Sequence, residues 1–213
     1  MTIFFVVAND PQTRANLAVA QKISSNTDVA LFGESAIREK LHAALDVHDR
    51  TIFSMSHGRT TSIVDNDGHP ALEEGDGNLL AGFRVFAWAC HTGANLGKKL
   101  SEADVIWWGY ECPVTAPDDR DQFIDLFADI LGTAKNSFIS GLDTQSIHDT
   151  IEKIKQACDK ALIMLDELEA YNDLEAFSLY SCCNQLWQRL LVWIPKYSDP
   201  LKHPNAPPAY IDL

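Results

Sequence analysis

From Ile3 to Val114, short β-rich runs alternate with amphipathic stretches, and that alternation constrains the fold more than any single residue does. Ile3–Ala8 is followed by Gln12–Ser24, where Ala15, Leu17, Ala18, Ala20 and Ile23 recur at roughly helical spacing. The pattern returns with Asp28–Phe32 and Ser35–Leu45, then Thr51–Ser56, then Phe83–Ala89 leading into Gly93–Leu100, and last with Asp104–Trp108. Strands joined by crossover helices predict an α/β fold with a doubly wound, mostly parallel sheet of five or six strands and flanking helices.

Between the third and fourth strands, an Asp67-Gly68 pair separates Ser62-Ile63-Val64 from Pro70-Ala71-Leu72, which signals a β-hairpin. Its carboxylates, Asp65, Asp67, Glu73, Glu74 and Asp76, read as a solvated loop.

Beyond Val114 the strand signals stop. Phe123, Leu126, Phe127, Ile130, Leu131 and Ala134 form one helical stripe, and Ile147, Ile151, Ile154, Cys158, Ala161, Leu165 and Leu168 form a second. A third helix is expected over Leu174–Ile194, paired with the second as a hairpin across Tyr171-Asn172-Asp173. Cys182 and Cys183 read as small packed apolar residues. No sixth strand is legible after the first stripe. Five of the nine prolines fall from Pro195 onward, so the end of the chain reads as an extended tail. The expected organisation is an α/β unit over 1–140, a helical hairpin over 141–195 packed on it, and a Pro-rich tail over 196–213.

Charge narrows the partners. Thirty acidic residues against 17 basic ones give a net charge of −13, which repels phosphate backbones and anionic headgroups. Nucleic acid and membrane surfaces are therefore not expected partners. The apolar runs are far shorter than the roughly 20 residues of a membrane-spanning helix. Ile3–Ala8 has no basic residue before it and reads as a strand rather than a secretory leader. Five cysteines, odd in number and without a paired-ligand spacing for zinc, suit a reducing cytoplasm with free thiols. No metal or cofactor is called for.

In an open parallel sheet, reactive groups gather at the carboxyl ends of the strands. Two such ends carry chemistry here. His57 closes the third run with Gly58 behind it, and Cys90 closes the fourth with a helical pattern starting soon after, where a helix dipole would ease loss of the thiol proton. A cysteine nucleophile needs an acid or base and N–H donors for the oxyanion, which His57 and the backbones of Gly58 and Cys90 can supply. His91 adjoins Cys90, points elsewhere as sequence neighbours do, and reads as a bystander. Cys112 at the next strand end reads as structural. A cysteine phosphatase would need an arginine where Leu96 stands, and Gly93-Ala94-Asn95-Leu96-Gly97 has neither dinucleotide nor P-loop pattern.

Thr51-Ile52-Phe53-Ser54-Met55-Ser56-His57-Gly58, followed by Phe83-Arg84-Val85-Phe86-Ala87-Trp88-Ala89-Cys90, resembles the His-Gly and Ala-Cys strand ends of the caspase-like cysteine peptidases. That superfamily includes caspases, gingipains, clostripains, separases and bacterial CHAT domains. Val105–Tyr110 resembles the family's next strand, and the hairpin after His-Gly fits its layout. The resemblance covers about residues 1–140 and is nearest to compact bacterial CHAT proteases. It implies a cytoplasmic cysteine endopeptidase, with His57 and Cys90 catalytic, that cleaves one specific protein target as a defence or regulatory effector. Trp88 stands where caspases carry a glutamine, so strict aspartate specificity is not expected. Glu111 and, secondarily, Asp10 are the candidate carboxylates of a specificity pocket for Arg or Lys, whereas Trp88 could select an apolar residue. A regulatory partner protein could dock on Trp187 and Trp193. The competing class is a non-catalytic scaffold of the same fold.

Overall fold

The computed structural model describes residues 1–46, 50–117, 120–141, 143–167 and 174–208. The sheet has six strands: β1 (Ile3–Val6), β2 (Val29–Phe32), β3 (Thr51–Met55), β7 (Arg84–Trp88), β8 (Ile106–Tyr110) and β9 (Leu190–Trp193). Their order is β2-β1-β3-β7-β8-β9. The first five run parallel, and β9 is antiparallel to β8. The order reverses between β1 and β3, which opens a crevice at their carboxyl ends.

The helices are α1 (Arg14–Ile23), α2 (Arg38–Leu45), α3 (Leu96–Glu102), α4 (Asp121–Ser137), α5 (Thr144–Glu167) and α6 (Leu174–Gln188). They cover both faces of the sheet, so strand residues are apolar in unbroken runs and part by parity. Phe4, Val6, Phe53, Met55, Phe86, Trp88, Trp108 and Tyr110 enter the core under α1, α4, α5 and α6. Ile3, Phe5, Ile52, Val85, Ala87 and Trp107 enter the core under α2 and α3. On the first face, Phe4, Phe53, Phe86 and Trp108 stand at one register level. Their neighbouring ring centroids lie 5.4, 4.8 and 6.4 Å apart, close enough for each pair to add about 0.5–1.5 kcal/mol beyond burial.

The expected hairpin is present as β5 (Ser62–Val64) and β6 (Pro70–Glu73), with β4 (Gly58–Arg59) adding a third strand. Its carboxylates are not all solvated. Asp65 is buried, and its Oδ1 accepts the N–H groups of Asp67 and His69. Asp76 is buried too, and takes the Arg38 guanidinium at 2.7 Å. These two acids shape the loop.

The stripes of α4 and α5 are buried as expected; Leu168 and the Tyr171-Asn172-Asp173 turn fall outside the described residues. The third helix is shorter than expected, because Leu190–Trp193 leaves it to become the sixth strand. All four residues are buried, and a helix would have to expose part of that run, whereas a strand between two helical layers hides both faces. The C-terminal segment is thus part of the sheet and not only a hairpin beside it. The described part of the tail, 196–208, has no helix and is not simply extended, since it turns at Pro195-Lys196 and again at Pro204-Asn205. Val192 and Leu201 exchange backbone hydrogen bonds of 2.8 Å, which covers the outer edge of β9. His203 is buried against Trp187 and hydrogen-bonds Glu152.

Trp187 and Trp193 are 8% and 6% exposed, so of the two readings of these residues, docking anchors or buried packing, the structure has the buried one. The Trp193 indole donates to the Gly93 carbonyl at 2.6 Å. Phe177 on α6 is 72% exposed. No described helix is long and apolar enough to cross a membrane.

Candidate active site

The cleft lies where β1, β3 and β7 end and α1 begins. Asp10 follows β1 and starts the turn into α1. Its Oδ1 accepts from the Thr13 N–H at 2.9 Å and the Thr13 hydroxyl at 3.0 Å. Its Oδ2 meets His57 Nε2 at 2.7 Å. Burial alone would raise this carboxyl's pKa, but the hydrogen bonds from His57 and Thr13 outweigh it and hold the group below the usual carboxylate range. Asp10 therefore faces His57 as an ionised partner. The pocket-forming carboxylate expected at this position is instead an anchor for the imidazole, and Nδ1 is the ring nitrogen left for another partner.

His57 ends β3, and its carbonyl accepts the Val64 N–H at 2.9 Å. That bond makes Gly58 and Ile63 a non-hydrogen-bonded pair, so the Gly58 N–H is left out of the β4–β5 ladder. Gly58 packs directly on the Cys90 backbone. A Cβ added there would overlap the Cys90 carbonyl oxygen and lie 2.8 Å from the Cys90 nitrogen and from the Thr92 methyl group. The glycine is needed for that approach of two strand ends, a tighter requirement than the substrate access expected of it.

Cys90 is partly exposed. Its Sγ lies 3.4 Å from the Val114 N–H and 3.6 Å from the Val114 carbonyl. A thiol can donate to the carbonyl, and a thiolate can accept from the N–H, so the same segment suits both protonation states. No described carbonyl accepts the Cys90 N–H. The helix that follows Cys90, α3, begins six residues further on, at Leu96.

His57 and Cys90 line one cavity of about 500 Å³, together with Thr13, Asn16, Ser56 and Trp88, and with Pro113–Pro117 as a wall. Trp88 is buried, held edge-on to Tyr110 at 5.0 Å and against Phe127 at 5.6 Å. His91 does not line this cavity. It sits at φ 61°, its N–H bonds the Cys112 carbonyl, and its Nδ1 faces the Glu111 carbonyl at 3.3 Å. Glu111 and Cys112 do not line it either, so the Glu111 carboxylate is not at the base of the pocket. Burial pushes the Cys112 thiol pKa up, which suits a structural role. Among the described residues, no three His, Cys, Asp or Glu side chains converge as a metal site requires.

The sequence reading missed Thr13, Asn16 and the Pro113–Pro117 wall. The Asp10-Pro11-Gln12-Thr13 spacing does carry a turn signal, an acid three residues ahead of a hydroxyl at a helix start. No protein-family model matches this chain, and no curated protein or solved structure matches it significantly.

Proposed function

We propose that this protein is a cysteine endopeptidase of the caspase-like kind, with Cys90 as nucleophile and His57 as general acid and base. One observation carries the reading. Thiol and imidazole each stand two residues beyond neighbouring parallel strands, β7 and β3, and share one cavity, while Asp10 holds Nε2 of the ring. The mostly parallel sheet and the hairpin after His57-Gly58 agree with what the resemblance implies.

In the proposed reaction, the Cys90 thiol passes its proton to His57, and the resulting thiolate attacks the scissile carbonyl carbon, forming a C–S bond as the carbonyl π bond opens to the oxyanion. The N–H groups of Gly58 and Cys90, two residues whose backbones pack together, hold the oxyanion. The C–N bond then breaks as His57 delivers a proton to the leaving amine, giving a thioester. A water that loses its proton to His57 attacks the thioester; a C–O bond forms, the C–S bond breaks, and the Cys90 thiolate returns. Asp10 holds the ring in place and stabilises its protonated form. The substrate is a protein, and by the resemblance one specific target.

A peptide with an electrophilic ketone in place of the scissile bond tests this. Mass analysis is expected to find the adduct on Cys90 alone, with labelling at least about a hundredfold slower in His57→Ala, in keeping with loss of a positioned acid–base group. Equal labelling of several of the five cysteines, unaffected by His57→Ala, would leave the scaffold class standing instead.

A further inference from the structure

Resting on the peptidase reading, we infer that the substrate residue before the scissile bond carries an uncharged carboxamide, glutamine or asparagine, recognised by Asn16. The cavity beside Cys90 and His57 has no carboxylate and no lysine or arginine among its described lining residues. Asp10 is tied to His57 and Thr13, and Glu111 lies off the lining, so neither is free to pair with a basic side chain. Among the described lining residues there is no guanidinium to receive an aspartate. An apolar group would meet Trp88, yet it would leave the buried Asn16 Oδ1 without a partner.

Asn16 decides among these. It lies on the first turn of α1, is 3% exposed, and its Oδ1 is buried with no hydrogen-bond partner. Among the described residues it is the only buried side-chain oxygen in that condition; the indole nitrogens of Trp107, Trp108 and Trp187, also without a hydrogen bond, do not line this cavity. Buried polar atoms are nearly always paired, so an orphan in the wall of a cleft marks where a ligand completes the bonding. The last torsion of an asparagine is broad and nearly two-fold, so the amide can turn to meet a guest. A carboxamide is its complement, since it donates to Oδ1 and accepts from Nδ2 in one plane. It needs no counter-charge, and the described lining residues offer none.

The test uses peptidyl acyloxymethyl ketones that differ only in the residue bearing the ketone: Gln, Asn, Leu, Arg or Asp. The rate of adduct formation on Cys90 is followed by intact mass. The Gln or Asn probe is expected to react at least about tenfold faster than the other three, since an apolar group leaves Asn16 unpaired and a charged one meets no counter-charge among the described lining residues. Asn16→Leu is expected to remove that advantage, with the Leu probe unchanged or faster. Asn16→Asp, nearly identical in size, should move the preference toward Arg and guards against a variant that merely misfolds. Fastest reaction with the Arg or Asp probe in the wild type, or an unchanged order in both variants, would overturn the assignment of Asn16 and leave the peptidase reading intact. Failure of every peptidyl probe at a Cys90 that iodoacetamide still alkylates would overturn both.

Discussion

Cys90→Ala, His57→Ala and the double variant are expected to lose turnover by about the same factor, on the order of 10⁶ in kcat, because a nucleophile and its acid–base partner act as a unit. Once either is gone, the remaining rate comes from binding and from the oxyanion donors, which the second substitution does not touch. Independent contributions would instead multiply, and the double variant would be far slower than either single one. The structure favours the first outcome. Both side chains line one cavity, and Gly58 packs onto the Cys90 backbone, so neither has a separate route to the substrate. Thermal unfolding should change little, since both positions are partly exposed strand ends. The measurement is kcat on one cleavable peptide for the four proteins, with melting curves alongside.

Asp10→Ala is the next largest effect, about 10⁴ in kcat with KM little changed, the scale seen when the carboxylate behind a catalytic imidazole is removed. The carboxylate reaches His57 at 2.7 Å while two donors from Thr13 hold its other oxygen, so it orients the ring and carries the charge that matches an imidazolium. Asp10→Asn preserves the shape and loses the charge, and should fall with Asp10→Ala rather than with the wild type. Acid should reproduce the loss. The folded Asp10 pKa lies below its ordinary value of about 3.9, so its contribution is complete above that pH and fades as the pH drops through the lower folded value. A wild-type kcat still limited by Asp10 protonation well above pH 4 would contradict this placement.

The parts of the fold legible in the sequence are those where one periodicity runs long enough to dominate. The parallel strands read as unbroken apolar runs, and α4 and α5 carry stripes of several turns whose described members are buried. Strand β9 was hidden because four apolar residues continue the amphipathic pattern of α6 without a break, and only the open edge of β8 selects the extended form. Strand-end positions located His57 and Cys90, because position along a strand fixes which end of the sheet a residue reaches. They could not say which way Asp10 or Glu111 would point. Asp10 finds its histidine 47 positions away and Glu111 stays off the cleft, relations that no local pattern encodes. Asn16 was equally hidden, since a polar residue in an amphipathic helix reads as solvent-facing and only the Pro113–Pro117 wall and Trp88 enclose it.

The most direct measurement is acid quenching of the enzyme during its first turnover of a cleavable peptide, followed by intact-mass and fragment analysis. A mass increment equal to the acyl half of the peptide, carried on Cys90 and absent from Cys90→Ala, is the expected result. Cleavage that proceeds with no acyl group on the protein, or with it on another residue, would contradict Cys90 as the nucleophile.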